Sequence, residues 1–112
     1  MGEVSGFVDL QTSEFEKIVL KSPHPVIVEF GAPWCIPCKR VEPLLIELQE
    51  QEWGGKVELV KVNVDEAIDL TMQYHVMGVP TVILFVKGEP VAQLSGNQPR
   101  KRFVEKFSPF LS

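Results

Sequence analysis

Val26-Ile27-Val28-Glu29-Phe30-Gly31-Ala32-Pro33-Trp34-Cys35-Ile36-Pro37-Cys38-Lys39 runs from a β-branched stretch, through a break at Gly31-Ala32-Pro33, into a helical pattern. Both cysteines of the chain lie here, with two residues between them. A strand that feeds a helix through such a turn sets the first sulfur at the helix N-terminus. Unpaired backbone N–H groups and the positive end of the helix dipole favour a thiolate there. The thiolate is the nucleophile, so Cys35 is expected to react near neutral pH. Cys38 is close enough in sequence to resolve a mixed disulfide by intramolecular attack. The segment reads as a dithiol that exchanges with other disulfides.

Outward from this segment the pattern remains regular. Ser13-Glu14-Phe15-Glu16 reads as a capping box with Ser13 as N-cap, followed by Phe15, Ile18 and Val19 on one face of a short helix. That helix is expected to stop before Pro23. Val26 to Phe30 is a strand, and Cys35 to Gln51 a helix with Val41, Leu44, Leu45 and Leu48 on one face and a proline, Pro43, inside. Val57 to Val64 reads as a buried strand and Ala67 to Tyr74 as a short helix. Val82 to Val86 and Val91 to Ser95 are strands around the turn Lys87-Gly88-Glu89-Pro90. Arg100 to Leu111 closes the chain as an amphipathic helix, with Phe103, Val104, Phe107 and Leu111 inward. The order α-β-α-β-α-β-β-α predicts an α/β fold, a mixed central sheet with helices on both faces.

At 112 residues the chain fits one domain, residues 1–112, with a single buried core. A hydrophobic fraction of 45% and a charged fraction of 23% exclude a disordered chain. A net charge of −4 argues against nucleic acid as a partner. The longest apolar stretch, Val79 to Val86, is far short of a membrane span. Met1 to Leu10 has neither a basic nor an apolar leader region, and Gly6 breaks the myristoylation pattern opened by Met1-Gly2. The expected location is the cytoplasm, where a cysteine pair is more often catalytic or metal-binding than structural. Zinc wants four ligands, and the chain has two cysteines and two histidines, His24 and His75, at no standard spacing. The two histidines could complete a set only in a non-standard arrangement, and a site shared between two chains is the other route. Lys39 in place of a histidine excludes a c-type haem.

Phe30 to Lys39 resembles the active-site segment of thioredoxins, and Met77-Gly78-Val79-Pro80-Thr81 resembles their cis-proline segment. Gly88 and Gly96 fall where that family has turn glycines, and the resemblance extends from Ser13 to Leu111. It implies a thioredoxin fold and a monomeric protein dithiol–disulfide oxidoreductase acting mainly as a reductant, with no bound cofactor. Its partners would be disulfide-containing protein substrates and a thioredoxin-reductase-like flavoprotein. Cys35 would attack and Cys38 resolve. Trp34, Ile36, Pro37, Val79, Pro80 and Gly96 would form the docking groove, with Pro80 cis and the Val79 backbone pairing with substrate. Glu29 would be the buried acid that exchanges a proton with Cys38, and Lys61 its buried amine neighbour. A carboxyl in a strand covered on both faces has a raised pKa.

The chain departs from the family pattern at three positions. Ile36 replaces a glycine and adds apolar bulk beside the reactive sulfur. Gly31 stands where a second tryptophan is usual, and Glu29 has one methylene more than the usual aspartate. A reductant on this scaffold is expected between about −300 and −220 mV. The alternatives are an isomerase or oxidase of higher potential, a redox-inert adaptor using the same groove, and a metal-binding module shared between chains.

Overall fold

The computed structural model describes residues 6–111, so Met1-Gly2 lies outside the described residues. Its strands are β1 (Phe7–Asp9), β2 (Val26–Gly31), β3 (Glu58–Asn63), β4 (Thr81–Val86) and β5 (Glu89–Ser95). They form one five-stranded sheet in the order β1-β3-β2-β4-β5. β1 and β2 run parallel to β3, while β4 runs antiparallel to β2 and β5 antiparallel to β4. The helices are α1 (Ile36–Gln51), α2 (Ile68–Gln73) and α3 (Arg100–Phe107). The expected mixed sheet with helices on both faces is present.

β2 sits in the middle and every one of its residues is buried. Alternation of side chains sends Ile27 to one face and Val28 and Phe30 to the other. The first face packs Ile27, Leu59, Val82 and Leu84 against Val41, Leu45 and Leu48 of α1 and Phe103 and Phe107 of α3. The second packs Val28, Phe30, Val60 and Phe85 against Phe15, Val19 and Leu70. A fully buried side chain of this size contributes roughly 1.5–3 kcal/mol, and a buried neutral polar group costs about 1–3 kcal/mol. Ile27 and Phe30 therefore offset the burial of one uncharged carboxyl between them, and the strand forms with Glu29 in it.

Two expectations need correction. Among the described residues the first element is not a helix: β1 precedes it, pairing Phe7 with Leu59 and Asp9 with Lys61 at the sheet edge. Three residues, of which Val8 and Asp9 are exposed, carry no alternation that sequence could reveal. Nor is Ser13 an N-cap. It lies inside a 3₁₀ turn, Thr12–Glu14, whose Glu14 carboxylate accepts from the Gln11 N–H at 2.9 Å. The chain then widens into a turn closed by the Lys21 N–H on the Glu16 carbonyl, five residues back. Phe15 and Val19 are buried there as expected.

The final helix ends at Phe107, and Ser108–Phe110 tightens into a 3₁₀ turn containing Pro109, which lacks an N–H to continue the α-helical ladder. The β4–β5 turn places Lys87 at φ 52° and Gly88 at φ 82°, the twist a two-residue hairpin requires. A Cβ on Gly88 would lie 2.8 Å from the Leu20 carbonyl oxygen, so glycine is needed there for space as well. Among the described residues no helix is long and apolar enough to cross a membrane.

Candidate active site

α1 begins where β2 ends, after the turn Ala32 to Cys35. Cys35 is the helix N-cap, and its Sγ accepts the N–H of Cys38 at 3.1 Å. Pro37 stands in the first turn, where its missing N–H costs nothing. Cys35 and Cys38 form a disulfide, with Cα atoms 5.3 Å apart. The sulfur of Cys35 thus occupies the anion position that the sequence predicts. Both residues are buried, Cys35 at 2% and Cys38 at 1% exposure, under an apolar rim. Trp34 and Ile36 form that rim and are 63% and 60% exposed. The Trp34 indole N–H donates to an Asp65 carboxylate oxygen at 2.7 Å, which holds the ring to the loop after β3.

The Val79–Pro80 peptide is cis, as the resemblance implies, and leads into β4. The Gly96 N–H donates to the Pro80 carbonyl at 2.8 Å, and the Thr81 hydroxyl donates to the Gly78 carbonyl at 2.7 Å. These bonds join the proline loop to the end of β5. Gly96 has φ 84°, a conformation that other residues adopt at a cost. Met77, next to this loop, is 94% exposed.

Behind the disulfide, Glu29 is fully buried, and neither carboxyl oxygen has a hydrogen-bond partner. Its pKa is pushed up to about 9, first by desolvation, then by the neighbouring Glu42, while Lys61 pulls it back. A negative charge on Glu42 disfavours a second one on Glu29. A Cβ built on Gly31 would lie 2.9 Å from Cys38 Sγ and 3.3 Å from Glu29 Oε2. The sulfur and the acid are therefore no farther apart than those two distances together.

Lys61 is placed beside Glu29 by strand register, and Asp9 lies on the other side of Lys61. The lysine is not the buried partner that the resemblance implies. It is 37% exposed and pairs with Glu42 at 3.4 Å, because the Glu42 carboxylate stays partly in water and is the cheaper ion to pair. A cavity of about 320 Å³ opens here, lined by Asp9, Glu29, Gly31, Lys39, Glu42 and Lys61 among others.

Sequence reasoning missed Glu42 and Asp65. Glu42 follows Cys38 by one helical turn, a spacing that places both on one face of α1 and could have found it. Asp65 carries no local signal. Among the described residues no group of three or more His, Cys, Asp or Glu side chains is arranged to hold a metal.

The thioredoxin family model matches residues 6–108. The chain is 40% identical over 95 residues to "Thioredoxin C-2" of Corynebacterium nephridii, covering 85% of this chain and 87% of that protein. It is 38% identical over 97 residues to "Thioredoxin" of Haemophilus influenzae, covering 87% and 90%. It is also 38% identical over 104 residues to "Thioredoxin M-type, chloroplastic" of Spinacia oleracea, covering 93% of this chain and 57% of that protein. The chain spans little more than half the length of such chloroplastic relatives. The family model takes in the cysteine turn, the cis-proline loop and Gly96, and the two bacterial relatives are matched over 87% and 90% of their own length: the chain belongs to the thioredoxin family.

Proposed function

We propose that the chain is a protein dithiol–disulfide oxidoreductase working as a reductant, one unit over residues 1–112. The observation that carries this reading is the Cys35–Cys38 disulfide at the N-terminus of α1, with the buried Glu29 behind Cys38. In the reduced protein, the Cys35 thiolate attacks one sulfur of a substrate disulfide. That S–S bond breaks, the substrate's other sulfur leaves as a thiolate, and a mixed disulfide forms. Cys38 then attacks Cys35 Sγ and releases the second substrate thiol. Its proton passes to the ionised form of Glu29, which is the minor form near neutral pH and grows as pH rises toward 9, so this step speeds up over that range. A carboxyl at about 9 is matched to a thiol, whose ordinary pKa is about 8.5, so the proton moves either way at little cost.

Substrate is a disulfide-bearing protein segment in extended form. Trp34, Ile36 and Pro37 cover one side of it, Gly96 the other, and the Val79 backbone pairs with it as an added strand. Pro80 backs the cysteines. Lys61 acts through Glu42 and Glu29. A thioredoxin-reductase-like flavoprotein resets the disulfide, and the chain itself holds no cofactor and works as a monomer. The proposed compartment is the thiol-reducing cytoplasm, supported by the near-full-length matches to the two bacterial proteins.

The test is Cys38→Ser against a purified disulfide-bonded protein. The variant accumulates a covalent complex that dithiothreitol releases, and Cys35→Ser forms none. Absence of the complex, or equal capture by both variants, refutes the assignment of Cys35 as attacker. The midpoint of the wild-type pair is expected between about −300 and −220 mV, and a value above about −180 mV refutes the reducing direction.

A further inference from the structure

Met77 is 94% exposed, more than any other large apolar side chain among the described residues. Single exposed apolar residues are ordinary on a protein surface and need no explanation. Met77 differs in its place. β2 pairs Phe30 with Thr81 of β4, so the segment ahead of Thr81 and the cysteine turn after Phe30 lie at the same end of the sheet. Trp34 and Ile36 flank Cys35 in that turn and are 63% and 60% exposed. Met77 adds a third large apolar side chain at that end, two residues before Val79.

The backbone that carries it is pinned on both sides. Before it, the Val76 N–H donates to the Thr71 carbonyl at 3.0 Å, and the Val76 side chain packs against the core that holds Phe30. After it, the Gly78 carbonyl accepts the Thr81 hydroxyl at 2.7 Å, and the Pro80 carbonyl accepts the Gly96 N–H at 2.8 Å. The loop holds its course while the Met77 side chain touches almost nothing of its own chain. The fold therefore gains little from methionine here, and the side chain's contribution is made in a complex. A thioether on three rotatable bonds adapts to apolar partners of different shape. A polar side chain laid over it would lose part of its water, and the neighbours Val76 and Gly78 have no side-chain group to replace those hydrogen bonds.

We propose that Met77 is a specificity-determining residue: it extends the groove past Val79 and selects protein disulfides with an apolar side chain near the reacting cysteine over those with a polar one. The inference rests on the reading of the chain as a disulfide reductant whose substrate pairs along Val79. Two residues of extended chain span about 6–7 Å. The substrate side chain that meets Met77 therefore lies about two or three positions from the substrate cysteine.

The test is a single turnover of the reduced protein against a short peptide with one cysteine, joined to a second copy of itself by a disulfide. The protein dithiol gives two electrons and two protons to that disulfide, two peptide thiols form, and the Cys35–Cys38 bond closes. One peptide carries leucine at the second and third positions on either side of the cysteine, the other glutamine. Wild type is expected to reduce the leucine peptide about tenfold faster in second-order rate constant, the equivalent of about 1.4 kcal/mol. Met77→Gln loses most of that preference, Met77→Leu keeps it, and all three proteins reduce hydroxyethyl disulfide at the same rate. Equal rates of wild type on the two peptides overturn the inference and leave the reductant reading standing. So does a preference that survives in Met77→Gln, or a loss that is equal on both peptides and the small disulfide. Failure of wild type on both peptides and on the small disulfide overturns the reductant reading, and the inference with it.

Discussion

Replacing Glu29 with glutamine keeps the side-chain volume and removes the proton. Glu29 is fully buried, its oxygens are unpaired, and its pKa rises from 4.5 to about 9. Between those values the folded chain binds a proton that the unfolded chain has released. Stability of the wild type therefore falls as pH rises through that window, by up to about 1.4 kcal/mol per pH unit, and the loss is complete above the folded pKa. Glutamine pays none of this. The gap in unfolding free energy between Glu29→Gln and wild type is then expected to grow by about 2–3 kcal/mol from about pH 5 to about pH 7. Against a typical total of about 5–15 kcal/mol, that change is easily resolved by urea unfolding of the oxidised proteins. Comparing the two pH values cancels any constant difference between the side chains. The same variant lacks a proton acceptor for Cys38, so release of the mixed disulfide slows by about 10²-fold, the lower range for a positioned general base. The competing effect is water: the cavity beside Glu29, about 320 Å³, has room for several molecules that would solvate the carboxylate. A stability gap that stays flat across this pH range would mean the acid is wet and ionises normally, and the match between its pKa and that of a thiol would fail with it.

Two other perturbations follow from the same geometry. Glu42→Gln removes the neighbour that raises Glu29, so the Glu29 titration followed by carbon NMR moves down in pH; Lys61→Met removes the cation that lowers it and moves the titration up. Equal or reversed shifts would contradict the placement of these charges. Ile36 is 60% exposed on the rim, and on the proposed docking mode a partner covers it. Ile36→Gly gives up about 1–1.5 kcal/mol of that burial, a roughly tenfold fall in kcat/KM for a protein disulfide, and leaves reduction of a small disulfide nearly unchanged; equal effects on both substrates would show that Ile36 acts on the sulfur and not on docking.

The parts legible in the sequence are those written in local pattern. Val26 to Phe30, the α1 face of Val41, Leu45 and Leu48, and the Lys87-Gly88 turn each carry their periodicity or turn chemistry within a few residues, and each forms as expected. Cys35 as an N-cap follows from the same local logic. What escaped depends on partners far along the chain. β1 is a strand because β3 offers it an edge, and its three residues show no pattern of their own. The first turn chose Gln11 and Glu14 over Ser13 and Glu16, against the local preference for serine as N-cap. Lys61 stands beside Glu29 by strand register, as the resemblance implies, but pairs elsewhere, since Glu42 comes from α1, on the other side of the cysteine turn. Trp34 and Asp65 meet across 31 residues.

The mixed sheet is itself a requirement of the site. β2 delivers the cysteines at its C-terminal end, with Gly31 as its last residue. Because β4 runs antiparallel to β2, pairing Phe30 with Thr81, the N-terminal end of β4 arrives at that same end of the sheet. It brings with it the cis Val79–Pro80 bond one residue earlier. β5 reverses again, pairs Ser95 with Thr81, and finishes there too, so Gly96 can donate to the Pro80 carbonyl. Had β4 continued the parallel pattern of β1, β2 and β3, the proline loop would sit at the opposite end, a full strand away at about 3.3 Å per residue. The hairpin that ends the sheet is thus what turns a reactive cysteine pair into a groove. The tight Lys87-Gly88 turn, at the far end, is the element that makes the reversal possible.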